Sequence, residues 1–228
     1  MKQIAVAAVI ALGTVVSAQT HMPMLTAAEK AEGWKLMFDG KSLAGWRGYK
    51  TEKPSGGWRA ENGLLVRLGS GGDLMTVDEY GDFDMRFDWK ITEYGNSGVI
   101  YRIGTTEPYP WHTGPEYQIL DNGHHPDGKS PLTSAGSNYA VDAPIKDVTR
   151  PVGEWNEGRI VAKGNHVEHW LNGVKVVEYE LGSAEWKAHV QASKFGKIPP
   201  YGTVKRGYIA LQDHESVVVY RNLKIKSL

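Results

Sequence analysis

Cysteine is absent from the chain, so disulfides, thiol catalysis and thiolate metal sites are all excluded. Any metal would have to be held by histidine, carboxylate, amide or carbonyl groups. Neither sign of charge is in excess: 26 Lys and Arg face 26 Asp and Glu, and no basic cluster stands out. That balance argues against a nucleic-acid partner or an anionic membrane surface. There is no phosphate-cradling loop, because Gly69-Ser70-Gly71-Gly72 has no Lys-Ser/Thr after it and reads as a turn. A G-x-S-x-G elbow is missing too, which removes the usual serine hydrolase. No internal repeat suggests a propeller or solenoid.

Long apolar runs are also scarce. Residues 4–16 follow the single positive Lys2 and precede the small-residue stretch Val16-Ser17-Ala18. This run is shorter than the roughly 20 residues a bilayer requires. The pattern predicts a signal peptide over 1–18, cleaved before Gln19. With no Cys to carry a lipid, the expectation is a soluble periplasmic or secreted protein, free of the membrane after cleavage. Residues 19–31 read as a tail, in which Thr26 and Glu29 have capping-box spacing for a short helix. The remainder, 32–228, is expected to be one domain, large enough to bury about 70% of its unfolded surface.

What is present is alternation. Beyond the tail, apolar residues do not recur at helical spacing for long enough to build a main-body helix. They alternate instead, with frequent Gly, Pro, Asn and Asp breaks. Strands are predicted over 35–38, 58–61, 64–67, 73–76, 83–91, 98–103, 116–120, 138–141, 156–163, 166–171, 174–180, 207–212 and 217–226. Asn62-Gly63, Gly164-Asn165 and Asn172-Gly173 mark tight hairpins. The fold class is therefore all-β, a sandwich or barrel. Three long irregular stretches, 104–115, 121–137 and 182–206, break the pattern, and loops of that length in a compact domain are usually functional.

Candidate chemistry gathers around these loops. In 116–120, alternation sends Glu116 and Gln118 to one face and Tyr117 and Ile119 to the core. On the preceding strand Gly98, Ile100 and Arg102 share a side, so Arg102 is expected beside Glu116, either as a substrate fork or as an ordinary cross-strand ion pair. Gln212 and His214 are expected to share a face with Ala210. Amides and guanidinium groups suit sugar hydroxyls because they offer planar arrays of donors. In the loop Asp121-Asn122-Gly123-His124-His125, a histidine could serve as general base, join Asp121, Asp127 or His214 on a metal, or bond to local backbone. Trp111 is the candidate stacking ring, or else a plug on the sandwich edge. Trp170 is expected in the core, and His112, His166, His169 and His189 at the surface or in support.

These residues together resemble the 3-keto-disaccharide hydrolase family. The match is carried by GWKLMFDGKSLAGW (33–46), NSGVIYR (96–102), GPEYQILDNGHHPD (114–127), PVGEWN (151–156), HWLNG (169–173) and YIALQDHESVVVYRNLKIKSL (208–228). Glu215 stands where the family leads one to expect glycine. The resemblance implies a concanavalin-A-like jelly-roll sandwich of two antiparallel sheets, acting on glucosides oxidised to a ketone at C3. It implies Arg102, Glu116, Gln118, Asp121-Asn122, His125, Asp127 and Gln212-Asp213-His214 as site positions.

A C3 ketone acidifies the C2 hydrogen, so one base, one group holding the enolate oxygen and one acid suffice. The expected roles are His125 or Glu116 as base, Arg102 with Gln118 or a bound cation at the C3 oxygen, and His214 at the leaving oxygen. Glu116, His125 and His214 are thus the expected catalytic set, with Arg102, Gln118, Gln212, Asp121 and Trp111 binding substrate. No cofactor is required, although a divalent cation is compatible with the donors. The rivals are a non-catalytic carbohydrate-binding module or lectin and, third, a glucanase with paired acids on one strand.

Overall fold

The computed structural model describes residues 22–228, and the expected signal segment lies outside the described residues. The capping box closes as its spacing predicts. Glu29 N–H donates to Thr26 Oγ1 and Thr26 N–H donates to Glu29, starting the short helix α1 (Ala27–Ala31).

Thirteen strands follow among the described residues: β1 (Lys35–Leu36), β2 (Trp46–Gly48), β3 (Trp58–Glu61), β4 (Leu64–Arg67), β5 (Leu74–Thr76), β6 (Phe83–Ile91), β7 (Asn96–Ile103), β8 (Glu116–Leu120), β9 (Asn156–Lys163), β10 (His166–Leu171), β11 (Val174–Glu180), β12 (Tyr208–Leu211) and β13 (Val218–Ser227). They form two antiparallel sheets. The larger has the order β11-β10-β9-β6-β13-β4-β3, with β1 also paired to β13. The smaller, of five strands, runs β2-β5-β12-β7-β8. This is the jelly-roll sandwich that the alternation and the resemblance imply.

Side-chain alternation explains which face each strand buries. On β6, Phe83, Met85, Phe87, Trp89 and Ile91 are buried between the sheets, while Arg86, Asp88 and Lys90 face outward. Burying each such apolar side chain is worth about 1.5–3 kcal/mol, so these residues fix the strand register. The three hairpins form where expected. Asn62 and Gly63, and Asn172 and Gly173, all have positive φ, the conformation a type I′ turn demands at both central positions.

The core also contains a polar strut. His169 is fully buried on β10, its Nδ1–H donating to Gly136 O (3.0 Å) while Nε2 accepts from Tyr101 Oη on the opposite sheet (2.7 Å). Tyr179 closes the chain against the Tyr101 hydroxyl. Burial drives the His169 pKa down to about 4, so the ring stays neutral. His169 is therefore an interior residue and not a surface one, and of the two expected places it takes the supporting one. Its neighbour Trp170 points the other way, half-buried on the outer face beneath Arg159, because alternation on β10 places Val167, His169 and Leu171 inside.

Two further expectations are corrected. Residues 138–141 form no strand, only isolated bridges from Asn138 to Tyr117 and Asp142. The loop 182–206 contains a helix, α2 (Ala184–Ala192), capped by Ser183, whose hydroxyl accepts from Trp186 N–H. Only Trp186 of that helix is buried, so its sequence carries little apolar periodicity to read.

Candidate active site

The outer face of the five-stranded sheet is built by alternation. On β12, Ile209 and Leu211 enter the core and leave Ala210 and then Gln212 outside. On β7, Val99 and Tyr101 go in, and Gly98 and Ile100 stay out. On β8, Tyr117 and Ile119 go in, placing Glu116 and Gln118 outside. On β5, Leu74 is core and Met75 is outside, so Asp73 rises on this same face. Pairing aligns Leu74 with Leu211, and Gln212 N–H donates to Gly98 O, while Gly98 lies opposite Gln118. Asp73, Gln212, Gly98 and Gln118 thus form one row across the sheet. Beside it, Met75, Ile100, Ile103 and Ala210 make a fully buried apolar cluster covered by Tyr49, Trp111 and Tyr208.

Glu116 is the centre of this face. It is buried, and its carboxyl leans diagonally across Gly98. With the Gln118 amide oriented to satisfy its surroundings, Nε2 donates to Glu116 Oε1 (3.1 Å) and to Ser97 O (3.0 Å). Burial pushes the Glu116 carboxyl up to about 8; the Lys194 charge and the Gln212 amide oppose this, and Asp73 and Asp127 add to it. A buried acid in this state is protonated at neutral pH and can donate.

Three more groups come from the loops. Lys194 follows α2, and its Nζ stands 4.3 Å from the centre of the Tyr139 ring. Desolvation lowers the Lys194 pKa, while Glu116 and Asp127 pull it upward. Tyr139 in turn donates from its hydroxyl to Asp127 Oδ2 (3.1 Å). Its segment is held in place because Tyr139 N–H donates to Glu116 O and Gly136 N–H donates to Gln118 O, with Gly136 O pinned by His169. Asp73 accepts Asp213 N–H at Oδ1 (2.7 Å). Burial raises the Asp73 pKa to about 6; the Asp213 charge adds to the rise, and the Asp213 N–H and nearby His214 counter it.

Of the expected site residues, Glu116, Gln118 and Gln212 come together on this face. Arg102 does not. The strand carries a bulge here, Arg102 takes a positive φ of 52°, and its side chain turns away from Glu116. Its guanidinium binds Gly81 O (3.2 Å), Gly164 O (2.8 Å) and Asp82 Oδ1 (3.2 Å), tying two loops of the larger sheet together. Period-two counting cannot anticipate a bulge. Asp121 is likewise engaged locally: it accepts from Tyr94 N–H, Gly123 N–H and the His124 ring, which hold its carboxyl below the usual range against the cost of burial.

His125 caps the short turn at 126–129, its Nδ1 accepting Asp127 N–H (3.1 Å). With Nδ1 occupied as an acceptor, the ring's proton sits on Nε2, which can donate. His214 lies beyond the end of β12 and is exposed, because the chain turns at Asp213, which ion-pairs with Arg67 and accepts Gly71 and Gly72 N–H. Trp111 stacks on exposed Tyr109 (5.4 Å, 8°) and packs on the core, which anchors its loop on the sandwich. Asp73 and Lys194 were missed. Alternation along 73–76 could have placed Asp73, but nothing in the sequence marks Lys194 beyond the length of its loop.

For a metal, the described residues whose ligand atoms converge are His166, Glu168 and Glu178, on the larger sheet. There Lys175 already neutralises both carboxylates, at 3.2 and 2.8 Å. Neither the pairings of His124 or His125 with Asp121 or Asp127 nor His214 produces such a convergence among the described residues.

Comparison with known proteins places residues 33–226 within a family model described as a 3-keto-alpha-glucoside-1,2-lyase-like domain. The chain is 32% identical over 240 aligned positions to a 3-keto-disaccharide hydrolase of Bacteroides thetaiotaomicron, covering 91% of this chain and 83% of that one. A crystal structure from Parabacteroides distasonis ATCC 8503, provisionally named a glycosyl hydrolase, superposes with a TM-score of 0.84 at 38% identity, covering 90% of this chain and 98% of the other. A second structure from the same organism, named in the same way, gives a TM-score of 0.67 at 26% identity, covering 86% and 99%.

Proposed function

Since the chain belongs to the family of 3-keto-alpha-glucoside-1,2-lyase-like domains, we propose that it cleaves glycosides whose C3 hydroxyl has been oxidised to a ketone. The observation that carries this reading is the buried, protonated Glu116 carboxyl set over Gly98, next to the cationic Lys194.

The chemistry follows from the ketone. Loss of the C2 proton gives an enolate whose charge sits on the C3 oxygen. Lys194 is the cation available for that charge, in the role first expected of Arg102, and a preorganised charge there is worth far more than in water. Collapse of the enolate restores the C3 carbonyl, forms a C1=C2 double bond and expels the C1 oxygen, which takes the Glu116 proton. Addition of water across that double bond completes net hydrolysis. Gln118, fully buried, and Gln212 orient the Glu116 carboxyl. The exposed Tyr109 ring, stacked on Trp111, suits the flat face of a pyranose.

We further infer export, supported by the charged, apolar and small-residue order of 1–18.

Incubation with 3-keto-trehalose and a 3-keto-β-glucoside, beside the unoxidised sugars, tests the reading. Release of the C1 substituent from the oxidised sugars alone is expected. Binding of glycans with no release would favour a lectin instead.

A further inference from the structure

The elimination needs an ionised base as well as an acid, and His125 and Arg102 are both engaged elsewhere. We infer that Asp73 is this base, working on the C2 proton across a gap from Glu116. The inference rests on the reading proposed above and assigns its remaining role.

The argument is geometric first. Asp73 rises from the same sheet face as Glu116, separated by Gln212 on β12 and Gly98 on β7. Adjacent strands lie about 4.8 Å apart, so the backbones of Asp73 and Gly98 are roughly 10 Å apart. Glu116 leans back over Gly98 and shortens that gap. The two carboxyls therefore stand on either side of the Gln212 side chain, with Glu116 filling the room that Gly98 leaves. Pairs of carboxyls about 5–10 Å apart are the spacing at which glycosidic bonds are usually cleaved.

Asp73 is also left free to act. One oxygen is fixed by Asp213 N–H, which orients the group. Arg67, which could have neutralised it, is bound to Asp213 instead. The charged groups around Asp73 are Asp213 and His214 on the turn after β12, and Glu116 on β8. Of the two carboxyls, burial affects Glu116 more, so near neutral pH one is ionised and the other protonated.

The cycle balances. Asp73 takes the C2 proton, and the C–H electron pair becomes the enolate. The enolate collapses, the C1–O bond breaks, and the departing oxygen takes the Glu116 proton. Water then attacks C1, its proton passing to ionised Glu116, while protonated Asp73 returns a proton to C2. Both groups end as they began.

Two substitutions and two substrates separate the roles. Asp73→Asn keeps the acceptor for Asp213 N–H and should fold. It should lose about 10²–10⁴-fold in cleavage of both a methyl and a p-nitrophenyl 3-keto-β-glucoside. It should also abolish exchange of the C2 hydrogen for deuterium in heavy water. Glu116→Gln should keep that exchange and recover most of its activity on the p-nitrophenyl substrate, whose leaving group needs no acid. If Asp73→Asn keeps exchange within a few-fold of the parent, or if Glu116→Gln is the variant that loses it, the assignment is overturned while the activity stands. Wild-type protein that cleaves neither substrate and exchanges nothing overturns the underlying reading as well. Should Asp73→Asn prove unstable, the wild-type pH–rate profile decides: a rise with an apparent pKa near 6 is required, and its absence refutes the role.

Discussion

Glu116 and Gly98 occupy each other's space: a β-carbon on Gly98 would lie 2.1 Å from Glu116 Oε1. The glycine therefore serves the carboxyl, whose atoms fill the volume that a side chain on β7 would take.

Gly98→Ala should displace the Glu116 carboxyl rather than unfold the sheet. A catalytic group moved by about 1 Å can cost roughly 10²-fold in rate. Activity on a 3-keto-glucoside is expected to fall by about that factor while circular dichroism and the melting midpoint change little. Loss of folding with no soluble protein would show that the glycine matters to the strand instead.

The Glu116 pKa also predicts how stability varies with pH. A carboxyl raised from 4.5 to about 8 binds more protons in the folded state than in the unfolded one. Its favourable contribution is present below about 4.5 and is lost as pH rises through 8. Glu116→Gln should therefore be more stable than the parent, by a margin that widens from pH 5 to pH 8 in thermal melts. An equal margin at both would contradict the raised pKa.

His169 should act in the opposite direction. A histidine depressed from 6.5 to about 4 binds fewer protons when folded. Stability should therefore fall as pH drops from 6.5 toward 4, by up to about 3 kcal/mol. His169→Gln should flatten that acid limb in urea titrations, although it lowers stability at pH 7 by disturbing the bonds to Gly136 and Tyr101.

Arg102 separates structure from catalysis. Arg102→Lys cannot hold Gly81, Gly164 and Asp82 together, and leaving such acceptors unmet costs about 1–3 kcal/mol. The melting temperature should drop while kcat/KM of the folded fraction stays within a few-fold. A large kinetic loss with an unchanged melt would return Arg102 to the reaction.

Lys194→Met should reduce kcat far more than it raises KM, because the enolate charge develops only in the transition state. Lys194→Arg should recover part of the rate. Equal loss in both parameters would make Lys194 a binding residue only.

What could be read in the sequence was what depends on local periodicity and turn chemistry. The inward set of β6 and the hairpins at Asn62-Gly63 and Asn172-Gly173 follow from alternation and positive φ alone. Glu116, Gln118 and Gln212 share a face for the same reason. What could not be read depends on breaks in the period or on chain folding back from afar. A bulge turned Arg102 away, the bend at Asp213 carried His214 out of line, and α2 delivered Lys194 through a segment with one buried side chain. Asp121 faced away from Glu116 by parity, yet its engagement by Tyr94 and His124 became visible only in three dimensions.

The pairing of β1 with β13 has a practical reach. Lys35 lies opposite Ile225, and the ion pair of Glu29 with Lys224 draws α1 to the same place. The strands that open and close the domain thus meet at one seam on the larger sheet, behind the reactive face. A partner module, tag or surface tether joined at either side would emerge on the face opposite the proposed site at Glu116.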